Sequence, residues 1–132
     1  MKIAAIIPAR KGSKRVPKKN HLDFMGDHFI SKVIKNIQQS SHNIDIFIST
    51  DDEALIDLVK DLKVNILHRD NLFSDDYSTV VDLIKWHYKN DLNEYDLIYQ
   101  TFCHSICIDN KTIDRSLSKL TNSTKNFLMS IA

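Results

Sequence analysis

The sequence predicts an α/β domain, a three-layer sandwich in which a mainly parallel sheet lies between helices. Three observations carry that expectation. Short, almost continuously apolar runs rich in isoleucine have the character of strands buried on both faces. Between them lie segments whose apolar residues recur at helical spacing. The two kinds alternate as βαβ units do, and such units cross over with one hand, building a parallel sheet covered on both sides. The 132 residues, 42% hydrophobic and 27% charged, suffice for one domain with a real core and are too few for two. Residues 1–132 are therefore read as a single unit.

Residues 2–8 (KIAAIIP) form the first strand, ended by proline. This start faintly mimics a secretory leader, but its apolar stretch covers only residues 3–7, and a basic cluster follows instead of a cleavage site. Beyond a basic loop, Ile30, Val33, Ile34 and Ile37 recur at i, i+3, i+4 and i+7, the pattern of an amphipathic helix leaning on a sheet. Residues 44–49 (IDIFIS) are the second strand. Asp51 or Asp52 is placed to cap a helix with Leu55, Leu58 and Val59 as its buried stripe, and residues 64–67 return as a short strand. A polar loop over 69–77 leads to a third helix, capped by Ser78, with Val80, Leu83, Ile84 and His87 on one face and Trp86 at its flank. Residues 95–100 form the fourth strand, and 110–120 a fourth helix through Ile113, Leu117 and Leu120. Residues 127–132 (FLMSIA) begin a fifth apolar run. The chain stops inside that run, which would leave a sheet edge open and predicts that a longer protein continues it.

Composition excludes several functions. No apolar run approaches the eighteen or more residues that cross a bilayer, so no membrane span is expected. The net charge of +1 argues against a general nucleic-acid binder, yet it hides an asymmetry. Seven basic residues precede the first acidic one, Asp23, whereas the rest of the chain carries 11 basic residues against all 17 acidic ones. Positive charge is thus a local device. Cys103 and Cys107 stand four apart around His104, but two ligands do not close a zinc site, and the chain offers no further cysteine. They read as free thiols suited to a reducing cytoplasm.

The loop after the first strand holds the local charge. In an open parallel sheet, ligands sit beyond the carboxyl ends of the strands, and this loop is the usual phosphate site. Here it runs Ala9-Arg10-Lys11-Gly12-Ser13-Lys14-Arg15-Val16-Pro17-Lys18-Lys19-Asn20. Gly12 allows close approach of an anion, Ser13 adds a hydroxyl, and six cations surround them. A solvated basic loop or a nucleic-acid patch is the plainer alternative, but glycine, serine and proline interleave at fixed offsets directly after a buried strand, and no aromatics are interleaved to stack bases. A Walker A loop is excluded because its first glycine is missing and Ser13 precedes Lys14.

The pattern Ile7-Pro8-Ala9-Arg10-x-Gly12-Ser13-Lys14-Arg15-x-Pro17-x-Lys19-Asn20 closely resembles the N-terminal signature of the acylneuraminate cytidylyltransferases, or CMP-sialic acid synthetases, with the related CMP-pseudaminic and CMP-legionaminic acid enzymes. Ser49-Thr50-Asp51-Asp52 resembles the family's Ser-Thr-Asp block. Arg69, with Ser74-Asp75-Asp76-Tyr77-Ser78-Thr79, resembles its Arg-Pro…Ser-Asp segment, although the proline is Asp70 here. Gln100 falls where the family has Gln-Pro-Thr-Ser-Pro, but this chain reads Gln100-Thr101-Phe102-Cys103-His104, with both prolines replaced.

The resemblance implies a Rossmann-like sheet of the nucleotide-diphospho-sugar transferase type. It also implies a reaction in which CTP and a nonulosonic (sialic-type) acid give the CMP-sugar and pyrophosphate, with Mg²⁺ as cofactor. Attack joins an anionic nucleophile to an anionic phosphate, so fixed cations and positioning matter more than covalent catalysis. By the resemblance, Arg10, Lys14 and Lys19 are the catalytic cations. Ala9, Arg10, Gly12, Ser13, Lys14, Asn20, Arg69 and Thr79 bind the nucleotide, and Gln100 meets the acceptor sugar. Taken alone, Arg69 and Thr79 would read as a surface arginine and a helix-start hydroxyl. The family's metal-binding aspartates lie beyond position 132, so no metal ligand is assigned in this chain. Asp51 and Asp52 read as helix-start residues instead. The full-length family implies a homodimer, and a shortened homologue that binds nucleotide or a protein partner without turnover is the alternative reading.

Overall fold

The computed structural model describes residues 1–12, 19–69 and 79–130, without the side chains of Lys19 and Phe24. Strand β1 (Ile3–Ala9) is buried at all seven positions, as its isoleucine-rich run predicts. A short 3-10 turn (Lys19–His21) then leads into a small hairpin of β2 (Asp23–Phe24) and β3 (Asp27–His28). Its two turn residues, Met25 (φ 53°) and Gly26 (φ 80°), both have positive φ, the backbone that lets a two-residue hairpin follow the strand twist. Sequence reading had no element here.

Helix α1 (Phe29–Gln38) buries Ile30, Val33, Ile34 and Ile37, the four residues of its periodic stripe. Strand β4 (Ile44–Thr50), helix α2 (Glu53–Val59) and strand β5 (Asn65–His68) follow as expected within a residue or two. Helix α3 (Val80–Asn90), strand β6 (Leu97–Gln100) and helix α4 (Asn110–Thr121) complete the described elements.

The four long strands pair in parallel in the order β5-β4-β1-β6. From β1 the chain steps outward through β4 to β5, then crosses back to place β6 on the other side of β1. That reversal creates a crevice beyond the carboxyl ends of β1 and β6, the place where doubly wound sheets hold ligands. One face of the sheet offers Ile3, Ala5, Ile7 and Ala9 of β1 with Ile46 and Ile48 of β4. These pack with the stripes of α1, α2 and α4, including Leu55, Val59, Ile113 and Leu117. Side chains alternate along a strand, so Ser49 belongs to the opposite face, where it meets buried His87 of α3. Helices therefore lie on both sides, and the three-layer reading holds.

Two expectations need correction. Thr79, not Ser78, caps α3: its hydroxyl accepts from the Asp82 amide (3.1 Å), while the Asp82 carboxylate accepts from the Thr79 amide (3.4 Å) and hydroxyl (2.6 Å). This reciprocal box requires an acidic partner three residues after the cap, a spacing that Thr79 has with Asp82. The apolar run after α4 forms no strand over 127–130, and Phe127 and Met129 are 71% and 67% exposed. A strand exists only through backbone pairing with a neighbour, and apolar composition alone supplies no neighbour.

Candidate functional site at the sheet switch point

The carboxyl end of β4 organises the crevice, because each of its last side chains reaches a different neighbour. Ser49 bonds His87. The Thr50 hydroxyl, fully buried, donates to the carbonyl of Ala9 (2.6 Å) and accepts from the Asp52 amide (3.0 Å). Asp51 accepts from the Lys11 amide (2.7 Å). Asp52 caps α2, accepting from the amides of Ala54 and Leu55, and its second oxygen meets His21 Nε2 at 2.5 Å. Of the two candidate caps offered by the sequence, the structure selects Asp52.

These bonds close the neck of the basic loop. Arg10 and Lys11 form one end and the 3-10 turn through His21 the other. The side-chain amide of Asn20, 8% exposed, donates to the Arg10 carbonyl (2.9 Å) and ties the two ends together. The Arg69 amide donates to the Thr50 carbonyl (3.3 Å), bringing Arg69 to the same end of β4. Ala9, Arg10, Asn20 and Arg69 are thus gathered at one edge of the crevice. Gln100 pairs with Ile6 on the opposite side of β1, and the Thr101 amide donates to the Ile6 carbonyl (3.2 Å). Thr79 is engaged in the first turn of its own helix. Ser13 and Lys14 lie outside the described residues, as does the segment 70–78, and of Lys19 only the backbone is described.

Two findings bear on ligand binding. A Cβ built on Gly12 meets nothing within 4 Å, and Gly12 does not adopt the left-handed backbone that would require glycine. The backbone conformation is therefore not what requires this glycine, and open space for close approach is what remains. Secondly, Nε2 of Gln100 is buried without a hydrogen-bond partner, a condition it shares with His28 Nδ1. An unmet buried donor costs about 1–3 kcal/mol, which a ligand oxygen would recover.

Among the described residues, no group of three or more His, Cys, Asp or Glu side chains is arranged to hold a metal ion. The observed bonds of Asp51 and Asp52 to Lys11, His21 and the start of α2 do not fit a Mg²⁺ site, so neither is assigned one. Both cysteines are free thiols, Cys103 buried and Cys107 exposed. No helix among the described residues is long and apolar enough to cross a membrane.

Burial pushes the Asp52 carboxyl upward, but the hydrogen bond and charge of His21, with the amides of Leu55 and Ala54, outweigh it and hold the group below its ordinary value of 3.8. A depressed native value means that the contribution of Asp52 to stability is complete above the ordinary carboxylate range. It is lost as the pH falls through the native value. We expect the melting temperature to fall on acidification below about pH 4, and Asp52→Asn to flatten that dependence; melting curves across this range check both.

Sequence reading missed one buried constellation. His87, with no exposure, contacts Ser49 Oγ through Nε2 (2.7 Å) and Asp91 Oδ2 through Nδ1 (2.8 Å). An ionised carboxylate only accepts, so Nδ1 carries a proton, and in the neutral ring Nε2 accepts from the Ser49 hydroxyl. The order Ser-His-Asp is that of hydrolytic triads, but Ser49 is wholly buried and out of reach of any substrate. The arrangement is an anchor between α3 and β4. Its sequence signal was a histidine on the apolar face of a helix with an aspartate four residues on.

Fold and site together define a doubly wound α/β domain with a basic loop pinned at its switch point. Residues 4–132 match the family model described as Cytidylyltransferase, and the chain belongs to that family. A pseudaminic acid cytidylyltransferase of Campylobacter jejuni is 38% identical over 86 residues, which cover 64% of this chain and 37% of the relative. An N-acylneuraminate cytidylyltransferase of Streptococcus agalactiae is 36% identical over 87 residues, covering 64% of this chain and 21% of the relative. The chain thus spans well under half the length of these curated relatives. A solved CMP:2-keto-3-deoxy-manno-octonic acid synthetase complexed with CTP has the same fold, with a TM-score of 0.75 at 23% identity over 92% of this chain and 48% of that one.

Proposed function

We propose that residues 1–132 are the nucleotide-binding part of a cytidylyltransferase that transfers CMP from CTP to a nonulosonic acid and releases pyrophosphate. The observation that carries this reading is the basic loop, closed at its neck beside the switch-point crevice in a chain of this family. In the reaction the anomeric hydroxyl of the sugar releases its proton to solvent and its oxygen bonds to the α-phosphorus as the bond to the β-phosphate oxygen breaks and pyrophosphate leaves. Arg10 and Lys14 clamp the triphosphate, Lys19 offsets charge near the α-phosphate, and Ser13 donates to phosphate oxygens. The open space beside Gly12 and the backbone at Ala9 let the nucleotide approach closely. Asn20 acts by holding the loop shut, and Arg69 lies where it meets cytosine or ribose. Gln100 offers its unpartnered amide to the acceptor or the nucleotide. Thr79 is omitted from the binding set because its hydroxyl is occupied on both sides within α3. Free thiols and the use of CTP support a cytoplasmic location.

Isothermal titration of the 132-residue chain with CTP and with ATP tests the reading. CTP is expected to bind at least about tenfold more tightly, the discrimination of one or two base-specific hydrogen bonds. Equal affinities would reduce the site to a general phosphate cradle, and absence of binding would overturn the proposal. A second reading, binding without turnover, is favoured by one observation. The segment after Gln100 lacks both prolines of the family pattern and sends Cys103 into the core instead.

A further inference from the structure

The Ser49-Thr50-Asp51-Asp52 block has no role in the reaction as described, yet the structure gives its last two residues one task in common. Asp51 holds the Lys11 amide at the entry to the basic loop, and Asp52 holds the His21 ring at its exit. Asn20 bonds the Arg10 carbonyl between these two points. One β4–α2 turn therefore grips both ends of a loop that starts about 40 positions earlier in the chain. We propose that Asp51 and Asp52 are positioning residues for the nucleotide, fixing the Lys11 backbone and the His21 ring, and with them the Arg10 and Asn20 ends of the basic loop, before the ligand arrives. The inference rests on the reading of that loop as the nucleotide site.

The proposal has a sign that separates it from simple electrostatics. Two carboxylates beside a triphosphate repel it, so by Coulomb's law alone their removal tightens binding. Ends released from these bonds must instead be fixed by the ligand, and that cost is taken from the affinity. Loss of the clamp therefore weakens binding.

The test uses the 132-residue chain and CTP as the probe. Asp51→Ala removes the acceptor for Lys11 and touches no helix cap. Asp52→Ser keeps a hydroxyl that can cap α2 but is too short to reach His21, and His21→Ala breaks the same contact from the other side. Asp51→Ala is expected to melt close to the unsubstituted chain and the two variants that break the Asp52–His21 contact somewhat lower, and all three, folded at the assay temperature, to bind CTP about three- to tenfold more weakly. Asp52→Ser combined with His21→Ala is expected to be no weaker than either alone, since both act through one contact. In parallel, hydrogen exchange at the Lys11 amide is expected to be slow in the unsubstituted chain and faster in Asp51→Ala, with or without CTP. Tighter or unchanged CTP binding in the three variants, or unaltered Lys11 exchange, overturns the clamp while leaving the nucleotide site standing. Failure of the unsubstituted chain to bind CTP overturns the nucleotide reading itself, and with it this inference.

Discussion

Replacing His87 by alanine is expected to destabilise the domain by about 3–5 kcal/mol, combining a cavity in a closed interior with a hydroxyl left unpaired. His87 and Ser49 are both wholly buried, so no water replaces the lost ring. Asp91 keeps a 36% exposed side chain and returns to solvent at little cost. Ser49 bears the penalty. Replacing both partners together, Ser49→Ala with His87→Leu, removes the unmet polar group and refills most of the volume. That pair is expected to regain at least half of the loss, because apolar substitution of both members of a buried hydrogen bond can be nearly neutral. Urea denaturation of the three proteins measures this. A loss below about 1 kcal/mol for His87→Ala would show that the anchor between α3 and β4 is dispensable. The loss would be a large fraction of the 5–15 kcal/mol that holds most domains folded.

The second large effect concerns the ligand. Lys14→Ala and Arg10→Ala are each expected to weaken CTP binding by about 10- to 100-fold, the equivalent of one or two charge-assisted hydrogen bonds to phosphate. Lys125→Ala, on the exposed segment after α4, is the control and should leave affinity unchanged. The dependence on salt should become shallower in the two loop variants and stay the same in the control, because fewer counter-ions are exchanged on binding. Unchanged affinity in both loop variants would place the nucleotide elsewhere and end the functional proposal.

Much of the fold was legible because its signals are local. The run Ile3–Ala9 has no polar side chain to turn toward water, so it had to be a strand covered on both faces. The four isoleucine and valine positions of α1 repeat at helical spacing, and the structure buries all four together with Ser31. The errors were also local in form. Ser78 and Thr79 are adjacent hydroxyl residues, and the carboxylate of Asp82 three residues on decides between them. The hairpin around Met25 and Gly26 was missed because strands of two residues carry no alternation to read. Residues 127–130 show the reverse error, an apolar signal without the pairing that makes a strand.

The site was legible as a set of residue types and illegible as a set of bonds. A cluster of cations after a buried strand could be recognised by spacing, and so could its place at the carboxyl end of the sheet. That the neck of this loop is closed by Asn20, Asp51 and Asp52 could not be read, nor that Thr50 holds the carbonyl of Ala9 from 41 positions away. Hydrophobic periodicity and turn chemistry act between near neighbours, and they determined the α/β class and the order of the long elements, while the family was legible in a motif of fixed spacing. Which side chains meet across the crevice was decided by the tertiary structure alone. Strand order sets those distances, and a hydrogen bond forms only when the pairing of distant strands brings donor and acceptor within about 3 Å.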